Sequence, residues 1–228
     1  MLEYISYQIG KPLKLVFFLH GYNGNIDDHQ YAIDWLCQKL NDSIVIVPKA
    51  PQISDKNPQK NQWFGMLKYD SENKRSQPET SVDEIFAIYN SASSEIRQCA
   101  KNINNFINEI QKKYKITDNQ TYIIGFSQGA MLTIYTSLSR QTQIAGSFSL
   151  SGLIAGANSL SEDIKSHPSV YLFHGEDDLK VQYKTLTYNK DWLKNHNINS
   201  KVYTYCGLAH KICEAEIDEI AKIINCKL

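Results

Sequence analysis

Six short, almost uninterrupted apolar runs, separated by polar breaks and stretches of helical spacing, constrain this chain more than any other feature. Leu13 to Leu19, Ile44 to Val47, Tyr122 to Phe126, Ile144 to Leu150, Val170 to Phe173 and Val202 to Tyr205 are far too short to cross a membrane as helices. Their length and composition fit strands buried on both faces, which occur in parallel sheets covered by helices. Between the third and the earlier runs, Ile96, Cys99, Ala100, Ile103, Phe106, Ile107, Ile110 and Tyr114 recur at three- and four-residue steps, the mark of one buried helical face. Gln128 to Leu138, Tyr183 to Leu193 and Glu214 to Ile224 repeat that spacing over shorter spans. Strands alternating with helices, joined by right-handed crossovers, predict an α/β fold: a three-layer α/β/α sandwich around a mainly parallel central sheet, with Leu2 to Tyr7 as an added edge strand.

A chain of 228 residues, 42% of them hydrophobic, can fill one full-sized core, so residues 1–228 are expected to form a single domain. One region breaks the alternation. Residues 52–81 are polar, carry Pro58 and Pro78, and enclose a small apolar island of Trp63, Phe64, Met66 and Leu67. A long insertion in an otherwise compact domain is usually functional or mobile, which makes a lid one reading of it. Lysines plus arginines equal aspartates plus glutamates at 24 each, so no long-range field favours polyanions, and no nucleic-acid partner is expected. Met1-Leu2-Glu3-Tyr4 lacks the basic and apolar regions of a secretory signal, and no integral membrane segment is expected, which points to the cytoplasm. Five cysteines without a C-x-x-C pair suit reduced thiols better than a disulfide framework. Cys206, His210 and Cys213 lie close in sequence, but three candidates at irregular spacing make a poor tetrahedral zinc site, so neither a metal nor a cofactor is expected.

In open parallel sheets, chemistry sits beyond the carboxyl ends of the strands, so the residues after each apolar run matter most. Tyr122-Ile123-Ile124 leads into Gly125-Phe126-Ser127-Gln128-Gly129, and a helical pattern leaves it. That context reads as a nucleophile elbow: a sharp strand-to-helix turn holds a serine hydroxyl exposed beside a base, and a glycine two residues to either side lets neighbouring backbone come close. His174-Gly175-Glu176-Asp177-Asp178 follows the fifth run, and Gly207-Leu208-Ala209-His210 follows the sixth. Serine, acid, histidine is the chain order of the α/β-hydrolase triad. Ser127 is the expected nucleophile, His210 its base and Asp178 the acid, with Asp177 second and Glu176 third, because a turn must begin at His174-Gly175 before a side chain can point back. The backbone N–H groups of Gln128 and Tyr22 are the expected oxyanion donors, one at the helix N-terminus and one in the loop after His20-Gly21. His20 and His174 fit structural roles, while His29, His167 and His196 lie in polar segments and are expected at the surface. Trp63, Phe64 and Met66 read either as ordinary core or as the wall of an acyl pocket, and their polar setting favours the pocket.

With these residues in hand, the chain resembles the bacterial phospholipase/carboxylesterase family, which includes acyl-protein thioesterases. His20-Gly21-Tyr22 followed by Asp27-Asp28, Pro48-Lys49-Ala50-Pro51, Trp63-Phe64, Gly125 to Met131, Ser151-Gly152, His174-Gly175 and Gly207 to His210 match its landmarks in order over nearly the whole chain. The resemblance implies an α/β-hydrolase fold and a metal-free serine carboxylesterase acting on short- to medium-chain carboxylic esters through an acyl-enzyme, with thioesters and lysophospholipids as further substrates. It maps Ser127, Asp178 and His210 to the family's triad and Tyr22 and Gln128 to its oxyanion donors, and it is compatible with a homodimer. Two other readings stay open: a catalytically silent binding module on a hydrolase scaffold, and a serine peptidase.

Overall fold

The computed structural model describes residues 2–226. All six apolar runs are strands: β2 (Lys14–Leu19), β3 (Ser43–Pro48), β6 (Thr121–Phe126), β7 (Gly146–Leu150), β8 (Val170–Gly175) and β9 (Ser200–Tyr205). The expected edge strand is β1 (Tyr4–Ile9), and a short hairpin of β4 (Gln52–Ile53) and β5 (Asn61–Gln62) stands apart in the polar insertion. The main sheet runs β1-β3-β2-β6-β7-β8-β9. Its pairs are parallel from β3 to β9, and β1 alone is antiparallel, on β3. This is the α/β sandwich that the alternation predicts.

The two-residue period of the strands divides the core into two layers. In β2, Leu15, Phe17 and Leu19 face one layer, while Val16 and Phe18 face the other. The first layer is covered by α2 (Val82–Ser91), α3 (Ser93–Tyr114), α4 (Gln128–Leu138), α5 (Ala157–Asp163) and α6 (Thr185–Asn195). The second is covered by α1 (Gln30–Lys39) and α7 (Glu214–Cys226). Each fully buried Phe or Leu contributes about 1.5–3 kcal/mol, so these layers, rather than helix propensity, hold the helices in place. No described helix is long and apolar enough to cross a membrane.

Three helices lie outside the predicted set. α1 buries only Ala32, Ile33 and Leu36, with Trp35 and Cys37 partly buried beside them, and α5 is a single short piece burying Ala157 and Leu160. α2 did carry a local signal: the Ser81 hydroxyl accepts from the Glu84 N–H at 3.2 Å, half of a Ser-x-x-Glu capping box.

After β3 the chain returns to the opposite side of β2 and enters β6, so the strand order reverses between β2 and β6. A crevice opens at the carboxyl ends of strands at such a reversal. Tyr22 follows β2 and Ser127 follows β6, so both lie at its edge.

Candidate active site

Ser127 sits between β6 and α4 with φ 54° and ψ −116°, a conformation that L-residues rarely adopt. Surrounding backbone leaves the turn no room to relax. A Cβ on Gly129 would lie 2.1 Å from the carbonyl oxygen of Leu19, and one on Gly125 would lie 2.3 Å from that of Gly129. The Ser127 N–H donates to Leu150 O at 2.9 Å, and its own carbonyl accepts from Met131 at 3.1 Å, so the turn is fastened both to β7 and to α4. Gln128 is the first residue of α4, where backbone N–H groups lack an intrahelical partner. The Gly21 loop packs directly against the turn, with the Gly21 Cβ position 3.4 Å from Ser127 Cβ.

His210, in the loop after β9, places Nε2 3.0 Å from Ser127 Oγ and Nδ1 2.7 Å from Asp178 Oδ2. A carboxylate only accepts, so Nδ1–H donates to Asp178 and Nε2 is left to accept the serine proton. Asp178 is 1% exposed, whereas Glu176 and Asp177 are exposed turn residues. The other Asp178 oxygen accepts from the amides of Lys180 at 2.9 Å and Val181 at 3.0 Å. Burial acts to raise the Asp178 pKa, but the His210 hydrogen bond, the neighbouring histidines and the Lys180 amide outweigh it and hold the carboxyl below its usual range. His174 stands behind this acid, donating Nε2–H to Val181 O at 2.8 Å, and burial lowers its pKa.

A second cluster holds the loop after β2. The His20 Nε2 accepts from the Ala50 amide at 3.0 Å, so the proton is on Nδ1, which donates to Gly21 O at 2.8 Å. Trp63 Nε1–H donates to His20 O at 2.8 Å. The buried Gln128 side chain closes the cluster: its oxygen accepts from Trp63 N–H at 2.9 Å and its nitrogen donates to Phe64 O at 2.7 Å. His20 therefore has the structural role expected of it. Trp63 and Phe64 do not have the pocket role expected of them. Both are completely buried, behind the serine turn rather than on the cleft wall, because their backbone amide and carbonyl are engaged by Gln128 and the indole by His20. Met66 alone of the three lines the cleft.

The cleft has a volume of about 250 Å³, with Ser127 and His210 on one side and Met66, Tyr89, Met131 and Val181 supplying apolar surface. Its other wall comes from the 52–81 segment, which is tied down on both flanks. Asp55 accepts from the Met66 and Leu67 amides, each at 2.9 Å, and from the Tyr22 hydroxyl. Arg75 pairs with the buried Asp70 at 2.5 Å, and Gln182 donates to Arg75 O and Gln77 O at 3.0 and 2.8 Å. Arg75 is the residue that sequence reading missed here. Nothing local distinguishes it from a solvated arginine: Asp70 is only five residues away, but the pair is buried by packing against other loops, Gln182 included.

The remaining histidines divide. His167 is exposed as expected, but His196 stacks on Trp192 with ring centroids 3.8 Å apart. His29 is half-buried, its ring 4.9 Å from that of Phe126, and burial lowers its pKa to about 4. His29 departs from the surface expectation because Phe126 from β6 covers it, and His196 because it folds back on Trp192 one turn earlier in α6. Among the described residues no group of three or more His, Cys, Asp or Glu is placed to hold a metal ion.

Comparison with known proteins places this geometry. The chain is 29% identical to an acyl-protein thioesterase 1 of Neurospora crassa over 118 residues, covering 50% of this chain and 48% of that one, so it spans about half of that relative's length. An acyl-protein thioesterase 1 of Mycosarcoma maydis is 27% identical over 228 aligned residues, covering 94% of this chain and 91% of the relative. The crystal structure of esterase PE8 superposes with a TM-score of 0.81 at 23% identity, covering 100% of this chain and 99% of that one, a likeness of fold. The phospholipase/carboxylesterase family model matches residues 2–228, and with its strand order and its elbow the chain belongs to that family of α/β-hydrolases.

Proposed function

We propose that this protein is a serine ester hydrolase in which Ser127 is the nucleophile, His210 the general base and Asp178 the acid that orients it. The observation that carries the reading is the continuous chain of 3.0 and 2.7 Å contacts from Ser127 Oγ through His210 to Asp178. As Ser127 Oγ attacks the carbonyl carbon, its proton passes to His210 Nε2, and Asp178 stabilises the resulting imidazolium. The tetrahedral oxyanion is held by the N–H groups of Tyr22 and Gln128, a contribution of about 3–4 kcal/mol for each such donor in comparable sites. Collapse expels the alcohol or thiol, which takes the proton from His210 and leaves an acyl-serine. Water then gives its proton to His210 and attacks the acyl carbon, and the acid departs as the serine oxygen is reprotonated.

The cleft, at about 250 Å³, lies below the roughly 300–1,000 Å³ typical of drug-sized ligand sites, which favours short acyl groups over long ones. The relatives' names make acyl thioesters a second substrate class to test beside oxygen esters. A panel of p-nitrophenyl esters from acetyl to octanoyl, an acyl-CoA, a lysophospholipid and an amide tests the substrate reading. Turnover is expected to rise to about four to six acyl carbons and then level, with amides inert. Ser127→Ala should lower kcat by at least ~10⁴-fold, by analogy with nucleophile loss in a serine protease. Retention of activity within tenfold, or absence of covalent labelling of Ser127 by a fluorophosphonate, would reject the mechanism. The latter result would favour a silent binding module.

A further inference from the structure

The wall of the cleft carries charge of one sign only. Lys56, Arg75 and Lys180 line it and no aspartate or glutamate does, although the whole chain carries 24 of each sign. The nearby acids are engaged by hydrogen bonds, Asp70 and Asp178 in buried positions and Asp55 in an exposed one. Asp55 accepts from two amides and the Tyr22 hydroxyl, Asp70 accepts from Arg75 and from the Lys74 amide at 2.6 Å, and Asp178 holds His210. Arg75 is thereby neutralised by Asp70. Neither the Lys56 nor the Lys180 ammonium forms an ion pair among the described residues.

Both lysines are rooted on fixed backbone. The Lys180 amide donates to Asp178 Oδ1 at 2.9 Å and its carbonyl accepts from the Ser76 hydroxyl at 3.0 Å. The Lys56 amide donates to Ser54 Oγ at 3.2 Å, and that hydroxyl donates to Asn23 Oδ1 at 2.9 Å, in the loop that carries Tyr22. Lys56 Nζ lies 5.5 Å from the Tyr22 ring centroid. Two ammonium groups, neither in an ion pair among the described residues, thus line the cleft from opposite loops. A cleft of one sign with low-dielectric walls focuses its field on whatever enters, and an ammonium on a flexible stem is a general partner for carboxylate or phosphate.

We propose that Lys56 and Lys180 form an anion-selecting subsite, and that the preferred substrate is an ester bearing a carboxylate or phosphate group on its acyl or its alcohol part. This rests on the cleft being the ester site. The test compares matched esters. On the acyl side, mono-p-nitrophenyl glutarate is set against p-nitrophenyl 5-methylhexanoate, its uncharged counterpart in shape. On the alcohol side, 3-carboxy-4-nitrophenyl butanoate is set against p-nitrophenyl butanoate.

For the side that carries the anion, the anionic-to-neutral ratio of kcat/KM should fall about tenfold, ~1.4 kcal/mol, in the Lys56→Gln/Lys180→Gln double variant. The wild-type ratio should also fall as salt shortens the Debye length from about 10 Å at 0.1 M to about 3 Å at 1 M. Ratios unchanged within twofold for both pairs would overturn the subsite. A binding measurement separates this from the hydrolytic mechanism: calorimetry of the mono-4-nitroanilide of glutaric acid with Ser127→Ala, with and without the two lysine changes. Weaker binding without the lysines supports the subsite even if no ester is turned over and no fluorophosphonate labels Ser127. Equal affinity, together with an alcohol-side ratio unchanged within twofold, overturns it even if esters are hydrolysed.

Discussion

The turn at Ser127 and the 52–81 segment face each other across one cleft, and they are fixed by different kinds of contact. The turn is held by backbone against backbone. Gly129 lies against the Leu19 carbonyl and Gly125 against Gly129, at separations no side chain could occupy. The segment is held by polar side chains reaching distant backbone: Asp55 to the Met66 and Leu67 amides, Gln182 to Arg75 O and Gln77 O, and Gln128 to Trp63 and Phe64. Steric exclusion has no alternative arrangement, whereas each hydrogen bond can be exchanged for one to water at a net difference of only about 1 kcal/mol. The same cleft therefore has one wall fixed by steric exclusion and one fixed by exchangeable hydrogen bonds around the buried Trp63 and Phe64.

The largest effect that would break this contrast is expected at Gly129. Gly129→Ala drives a methyl group to 2.1 Å from Leu19 O, so β2 and α4 must separate, and a destabilisation above about 4 kcal/mol is expected in thermal or urea unfolding. A variant that melts like the wild type would show that the turn is not sterically fixed. Next in size is Arg75→Met, which leaves the Asp70 carboxylate buried without its partner and should remove about 3–4 kcal/mol. If the segment is an independent unit, this loss appears first as faster hydrogen exchange over residues 66–77, with β6 and α4 still protected. Uniform loss of protection would instead join the two walls into one cooperative body.

Gln128→Met tests the bridge between them. It strips partners from the buried Trp63 amide and Phe64 carbonyl, at about 1–3 kcal/mol for an unsatisfied group, and a total near 2–3 kcal/mol is expected. Because the Gln128 backbone also carries a proposed oxyanion donor, kcat should fall more than KM rises. Unchanged kcat with lowered stability would show that the Trp63 clamp holds the segment without shaping the turn.

The contrast also explains what the sequence revealed. Gly125-Phe126-Ser127-Gln128-Gly129 and the apolar runs announce themselves because their determinants are local: a two-residue or 3.6-residue period, or a glycine where backbone must pass close. Asp178 could be ranked above Asp177 and Glu176 because turn geometry is local too. Trp63 and Phe64 were legible only as an apolar island. Whether an island faces a cleft or backs a turn depends on Gln128, 65 residues from Trp63, whose amide side chain has no periodicity to betray it. Arg75 was silent because the burial of its pair with Asp70 depends on packing against Gln182 and the rest of the fold. The helices α1 and α5 carry narrow buried faces, and α2 follows directly on the polar insertion, its start marked by the Ser81–Glu84 cap.

The smallest expected effect separates the two walls by pH. Buried histidines lie on the serine side only. Burial depresses His20 and His174 as well as His29, whose folded pKa falls from 6.5 to about 4, and residues 52–81 contain no histidine. Below pH 6.5 the unfolded chain binds protons that these folded imidazoles refuse, down to about pH 4 for His29, so their stabilising contribution is complete above pH 6.5 and is lost as the pH falls. Glu216 has the opposite sign. Its carboxyl is fully buried, with Oε1 unpartnered, and burial raises its pKa from 4.5 to about 7, so it weakens the fold as the pH rises through that interval. Glu216→Gln should therefore raise stability above pH 7 and steepen the acid loss. His29→Leu should flatten that loss by about 1–2 kcal/mol between pH 7 and 5, at 1.36 kcal/mol per unit. On the opposite wall the Asp55 pKa is lowered, with burial opposed by the Leu67 and Met66 amides and the Tyr22 hydroxyl, so it holds its charge below the usual carboxylate range. Rate-corrected hydrogen-exchange protection at pH 5 should accordingly drop in β6 and α4 before it drops in residues 52–81. The reverse order would place the acid-sensitive wall on the wrong side of the cleft.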